Sequence, residues 1–179
     1  MSELTEEQNK PTYVILAAGR GSRLWPITED IPKAMVRVLK KPLLEWIIEG
    51  VLPHAKKIVV VVGYKRGVVE NYFSLKPYAG KLVFCEQKEQ AGTAHALACA
   101  EGEVSDWFVT LNGDNFFHPR VFDEIAENSR FQKAFSIVKR VQDVHEYGVV
   151  LEKNGVIAEI IEKPVEQGSG LINTNTFFL

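Results

Sequence analysis

Short apolar runs alternate along the chain with longer stretches whose apolar positions recur at helical spacing. Thr12–Ala17 is a β-rich run that ends at Gly19. Ile58–Gly63 is almost all valine, the composition of a strand covered on both faces. Lys81–Cys85 and Trp107–Leu111 predict further strands. Between them, Leu43–Leu52, Arg66–Phe73, Thr93–Ala100 and Pro119–Asn128 read as helices, with Pro42 and Pro119 suited to first-turn positions. This alternation predicts an α/β fold: a Rossmann-like open mixed sheet, mostly parallel, with helices on both faces. The pattern changes after Lys133. Ala134–Val141, Gly148–Glu152 and Val156–Ile161 are closely spaced strand candidates. Asn154-Gly155 signals a hairpin, because both residues tolerate positive φ. The C-terminal third therefore adds antiparallel strands.

Composition narrows the classes without changing that fold. The chain has 179 residues, 46% hydrophobic and 25% charged, which suits one sizeable core and excludes a disordered chain. A net charge of −2 gives no basic field for nucleic acid. No apolar run reaches the roughly 20 residues that span a bilayer. Neither nucleic acid nor membrane is expected as a partner. Met1–Lys10 is polar and acidic and lacks the apolar stretch of a signal peptide. It reads as a flexible tail (1–10) ahead of one domain (11–179) of a cytoplasmic protein. Cys85 and Cys99 cannot form a metal quartet or a disulfide framework and read as small buried side chains. The chain stops on the apolar run Thr176–Leu179, which predicts a poorly covered sheet edge and a tendency towards homo-oligomers.

Two segments carry candidate chemistry. The first follows the opening strand: Leu16, Ala17, Ala18, Gly19, Arg20, Gly21, Ser22, Arg23. Glycines there let backbone N–H groups approach an anion and form a phosphate nest. Arg20 and Arg23 add guanidinium groups that grip phosphate bidentately. Lys33, after Pro32, adds another cation. A dinucleotide fingerprint would need glycine where Leu24 stands, and a P-loop would need Gly-Lys-Ser/Thr. The alternative is a tight turn with solvated arginines. The second segment is Asn112-Gly113-Asp114 at the end of an apolar strand. Ligands of open α/β sheets sit beyond the carboxyl ends of strands, and a carboxylate there suits Mg²⁺. A turn or N-cap aspartate is the rival reading.

Taken together, these segments resemble the nucleoside-diphosphate-sugar pyrophosphorylases, the sugar-1-phosphate nucleotidyltransferase family. Leu-Ala-Ala-Gly-x-Gly-Ser-Arg-Leu-x-Pro followed by Pro-Lys is close to that family's signature. Gln87 with Gly92-Thr93-Ala94 is similar to its base-recognition segment, and Gly113-Asp114 to its metal turn. Tyr147-Gly148 and Glu162-Lys163-Pro164 are similar to its sugar-phosphate segments, and Ile172-Asn173-Thr174 to its late sugar-binding strand. The motifs come in the family's order.

The resemblance implies transfer of a nucleotidyl group from an NTP, with UTP or dTTP favoured, to a sugar 1-phosphate, with Mg²⁺ as cofactor. By it, Leu16–Gly19, Gly21, Ser22 and Arg23 hold the triphosphate, and Lys33 contacts phosphate near the reacting centre. Gln87, Gly92 and Thr93 form the base segment, with the Gln87 amide both donating and accepting. Asp114 holds the metal. Lys163 binds the phosphate of the sugar phosphate, Glu162 and Asn173 bind hydroxyls, and Tyr147 and Gly148 line the sugar pocket. His95, among alanines, reads as a packing residue, and His54, His118 and His145 have no metal-ligand spacing. Trp25, Trp46 and Trp107 read as core or loop anchors.

Two departures stand out. Asn175 occupies a position where the family often has glycine. A later strand that normally brings a second metal-binding aspartate does not occur before Leu179, so the domain is expected to be incomplete at its C-terminus. A cytidylyltransferase acting on phosphocholine or another phospho-alcohol would share Arg23, Lys33 and Asp114. A non-catalytic nucleotide-sugar-sensing subunit is the reading from another class.

Overall fold

A computed structural model describes residues 10–104, 107–129, 133–162 and 168–179. The chain forms two compact units. One runs to Lys133 and takes in Leu179; the other is Ala134–Phe178.

The first unit has the expected strand–helix alternation. Its strands are β1 (Thr12–Leu16), then a two-residue pair β2 (Arg37–Val38) and β3 (Lys41–Pro42), then β4 (Lys57–Val62), β5 (Leu82–Glu86) and β6 (Phe108–Asn112). Its helices are α1 (Leu43–Val51), α2 (Arg66–Ser74), α3 (Thr93–Ala98) and α4 (Arg120–Ser129). Strands β5, β4, β1 and β6 pair in that order, all parallel. Register sets the faces: Val14 lies beside Val59 and Thr110, and Ile15 beside Val60 and Leu111. Both sets are buried, so both faces of this sheet are covered. On one face Val14, Val59 and Val61 pack with Ala96 and Ala100, at and just after α3. Helices α1 and α4 meet closely: a Cβ on Gly50 would lie 2.2 Å from the Phe122 ring.

Local details differ from the sequence reading. Pro42 is the N-cap of α1, one residue before the first turn. The β2–β3 hairpin turns through Leu39 and Lys40 at φ 50 and 72, with no Gly or Asn to announce it. It is tied down by the Trp46 indole N–H, which donates to the Val38 carbonyl. Trp25 is exposed and anchors nothing in the core. Cys85 and Cys99 are free and half-buried, and burial pushes the Cys85 thiol up.

A buried carboxylate ties α1 to α2. Glu45 accepts from the Tyr72 hydroxyl and pairs with Lys76. Burial alone would raise Glu45, but these partners bring it below the ordinary carboxylate value; the same hydrogen bond pushes Lys76 up to about 12.

The second unit is antiparallel, as expected. It contains β7 (Phe135–Val141), β8 (Gly148–Lys153), β9 (Val156–Glu162) and β10 (Gly170–Phe178). Strand β10 pairs with both β7 and β8, and β9 pairs with β8. The β8–β9 turn is Asn154-Gly155, at φ 56 and 75. The terminal apolar run is not an uncovered edge. Thr176 and Phe178 are buried within β10, and the Phe178 ring stacks on Phe135 at 5.2 Å.

Candidate functional site

The first candidate region lies beyond the carboxyl ends of β1, β4, β5 and β6. Backbone hydrogen bonds knit these ends together. Ala17 N–H donates to the Val61 carbonyl, Gly113 N–H to Leu16, and Gln87 N–H to Val62. Gly113 sits so close to β1 that a Cβ there would meet the Leu16 carbonyl at 3.0 Å. The glycine loop then turns sharply. Gly21 has φ +72, and a Cβ on it would lie 2.7 Å from Lys33 Cβ. Glycine is needed there twice: for its backbone angle and for the lysine stem beside it. The buried Thr28 hydroxyl donates to the Gly21 carbonyl at 2.8 Å and secures the turn.

A cleft of about 290 Å³ opens at these strand ends. Of the residues named from sequence, Leu16, Ala18, Gly19, Gln87, Gly92, Thr93 and Asp114 line it. Gly19 and Gly92 face open space. Ala17 is buried and does not line the cleft. Gly21, Ser22, Arg23 and Lys33 lie on the loop outside its lining. Gln90 and Asn112 also line it. Gln90 donates to the Ala18 carbonyl, and its only sequence signal was its nearness to Gln87.

Charge in the first region is distributed unevenly. Lys33 forms a direct ion pair with Asp114, both half-buried. Arg20 lies 4.9 Å from the Tyr64 ring centre, a cation–π contact. Arg23 is exposed and has no hydrogen bond or ion pair among the described residues. It is therefore available to an incoming anion. No cluster of three or more His, Cys, Asp or Glu side chains able to hold a metal occurs among the described residues. Asp114 supplies the one carboxylate among the residues that line the cleft. That donor set fits Mg²⁺, which keeps waters and completes its shell with phosphate oxygens.

The base-segment residues are arranged differently from expectation. The Gln87 amide nitrogen donates to the Gly92 carbonyl at 3.1 Å and lies 3.2 Å from His95 Nδ1. His95 is thus not a mere packing residue. The amide donates to protein and does not offer both ends to a ligand.

The second candidate region lies within Ala134–Phe178. Gly148 pairs with Glu162 across β8–β9, and Ile172 pairs with Val149 across β10–β8. Antiparallel register then sets Asn173 opposite Gly148, so Asn173, Gly148 and Glu162 form one cross-strand row on one face. A Cβ on Gly148 would lie 2.7 Å from Glu162 Oε1. The carboxylate therefore reaches over the bare glycine. Asn175 resolves the departure noted in the sequence. It sits at φ 54, beside a bulge in β10, where glycine would be relaxed and asparagine is well tolerated. Its N–H donates to Asn173 Oδ1, and its Oδ1 accepts from Asn173 Nδ2, both at 2.9 Å. Asn175 thereby orients the Asn173 amide. Tyr147 is exposed beside Gly148. Lys163 lies outside the described residues.

A family model described as "Nucleotidyl transferase" matches residues 12–179. The UTP–glucose-1-phosphate uridylyltransferase AglF of Haloferax volcanii is 37% identical over 170 residues, which cover 92% of this chain and 70% of AglF. The bifunctional protein GlmU of Methanococcus maripaludis is 36% identical over 169 residues, 93% of this chain but only 39% of GlmU. The chain thus spans about two fifths of that relative's length. A crystal structure of UDP-glucose pyrophosphorylase complexed with UDP-glucose matches with a TM-score of 0.82 at 24% identity, over 95% of this chain and 76% of its own. That likeness is one of fold.

Proposed function

The chain belongs to the nucleotidyl transferase family, in its sugar-1-phosphate branch, and on that premise we propose that it joins UTP or dTTP to a sugar 1-phosphate and releases pyrophosphate. One observation supports this reading above the others. A single cleft is lined by open glycine backbone, a positioned amide and the Asp114 carboxylate, and the free Arg23 lies on the loop that leads from it. That combination suits a nucleoside triphosphate better than any other common ligand.

In this reading an oxygen of the sugar phosphate forms a bond to the α-phosphorus. The bond from the α-phosphorus to the bridging oxygen breaks, and its electrons leave on pyrophosphate. Such chemistry needs positioning and charge neutralisation, with no covalent enzyme intermediate. The Gly19–Ser22 backbone receives phosphate oxygens. Arg23 takes up charge on the leaving pyrophosphate. Lys33 exchanges its Asp114 partner for phosphate when the nucleotide arrives. Asp114 would hold Mg²⁺, which supplies neutralising charge at the phosphates. Glu162 and Asn173 orient sugar hydroxyls, with Tyr147 and Gly148 lining the pocket, and Lys163 takes the acceptor phosphate. That residues 11–179 act as one nucleotidyltransferase domain is part of the proposal. No described helix is long and apolar enough to cross a membrane, and the proposal places the enzyme in the cytoplasm, where triphosphates are made.

The test is a matrix of UTP, dTTP, CTP, ATP and GTP against glucose 1-phosphate, other sugar 1-phosphates and phosphocholine, with Mg²⁺, read by NTP binding and pyrophosphate release. Binding of UTP or dTTP and release with a sugar 1-phosphate are expected. Release only with CTP and phosphocholine, or no NTP binding at all, would overturn the reading.

A further inference from the structure

We propose that His95 is a positioning residue that fixes Gln87 as a hydrogen-bond acceptor towards the base, and so selects a pyrimidine carrying a ring N–H. The inference rests on the nucleotide reading of the same cleft.

A glutamine side chain has one accepting oxygen and two donating hydrogens, and nothing in its shape says which way it points. Its surroundings decide. Gln87 Nε2 lies 3.1 Å from the Gly92 carbonyl oxygen. A carbonyl only accepts, so the nitrogen must face it. The same nitrogen lies 3.2 Å from His95 Nδ1. With the amide nitrogen fixed by Gly92, Nδ1 faces the second amide hydrogen and must accept. The imidazole proton then sits on Nε2. Both amide hydrogens are engaged, and rotating the amide would set its oxygen against the Gly92 carbonyl.

Gln87 is 5% exposed, yet it lines the cleft. Its Oε1 has no protein partner among the described residues and is not enclosed as an orphan buried atom. The oxygen is the end left to a ligand. Uracil and thymine present N3–H, which donates to that oxygen. Cytosine presents a bare N3, whose lone pair meets the amide oxygen and is repelled. Sites that engage a ligand's N–H reject analogues lacking it, because the buried acceptor is left unpaired. Without His95 one amide hydrogen is freed and the orientation is held only by Gly92. Discrimination should then relax.

Two measurements test this. The first compares UTP and CTP affinities in the whole chain and in two variants. His95→Leu removes the acceptor; His95→Asn restores one near the position of Nδ1. The UTP-to-CTP ratio should fall by about fivefold in H95L, the worth of one neutral hydrogen bond, and should recover in H95N. A wild-type ratio in H95L overturns the inference while leaving the nucleotide reading intact. Absence of NTP binding by the wild-type chain overturns the nucleotide reading and this inference with it. The second measurement needs no variant and no ligand. Imidazole ¹⁵N shifts should show neutral His95 protonated on Nε2; protonation on Nδ1 would overturn the proposal.

Discussion

The two units of the chain offer ligand-binding groups in opposite ways. In the parallel unit strands β1, β4 and β6 are largely buried, and most candidate groups lie at or just beyond strand ends. Backbone bonds such as Gly113 to Leu16 and Ala17 to Val61 hold those turns. In the antiparallel unit the candidates stand on the strands themselves, in the row Asn173, Gly148 and Glu162. Much of β8 and β9 is solvent-exposed there. A turn can present bare N–H groups and a long cation without touching the core. A strand face presents fixed side chains whose spacing is that of the sheet. The first arrangement suits a flexible, highly charged triphosphate; the second suits a compact ring of hydroxyls. Substitutions in the two units should therefore have separable effects.

The sharpest separation is expected at Arg23. Arg23→Ala removes a cation with no partner in the described fold, so melting should be unchanged. NTP affinity should fall about ten- to hundred-fold, the worth of hydrogen bonds to charged groups. Calorimetric titration checks the affinity, and an unchanged affinity would place the triphosphate elsewhere. Gly50→Ala probes the reverse case. Its methyl would press into the Phe122 ring, 2.2 Å from an ideal Cβ. A loss of about 1–3 kcal/mol in folding stability is expected. Nucleotide affinity of the folded fraction should not move, and denaturant unfolding with and without NTP measures both.

Gly148→Ala addresses the second unit. The added methyl displaces the Glu162 carboxylate, which would lie 2.7 Å away. Sugar 1-phosphate affinity should weaken about tenfold, with NTP affinity retained. Equal losses for both ligands would erase the contrast between the units.

The smallest effect concerns the exposed trio Asp143, His145 and Glu146. The Asp143 hydrogen bond raises the His145 pKa above the ordinary 6.5, and the same contact lowers Asp143 below 3.8. A raised histidine stabilises the fold fully below its unfolded value and loses that contribution as pH rises through its folded value. A lowered aspartate stabilises above its unfolded value and loses that contribution as pH falls through its folded one. The pair therefore acts between those limits, and weakly, since it is exposed. NMR titration of the His145 ring should give a midpoint above 6.5; a midpoint at or below it would show that the pair does not form.

Much of this architecture was legible because burial leaves a period in the sequence. The valine-rich Ile58–Val62 read as a strand covered on both faces, and Asn154-Gly155 as a hairpin turn. The β2–β3 hairpin was not legible, since Leu39 and Lys40 carry no turn chemistry and the tie comes from Trp46, eight residues on from the Val38 carbonyl it bonds. The cleft's glycines and Asp114 were readable from their place after apolar strands. The link between His95 and Gln87 was not, because an i,i+8 contact across a loop leaves no period. Asn175 looked like an anomaly until its backbone angle was seen. Its substitution keeps the left-handed turn and adds a side chain that steers Asn173.

The most direct measurement is cross-titration. UTP with Mg²⁺ and glucose 1-phosphate are each titrated into the wild-type chain, Arg23→Ala and Gly148→Ala. The account predicts that Arg23→Ala loses UTP affinity alone and that Gly148→Ala loses sugar phosphate affinity alone. If either substitution weakens both ligands to the same degree, the division of labour between the two units is contradicted.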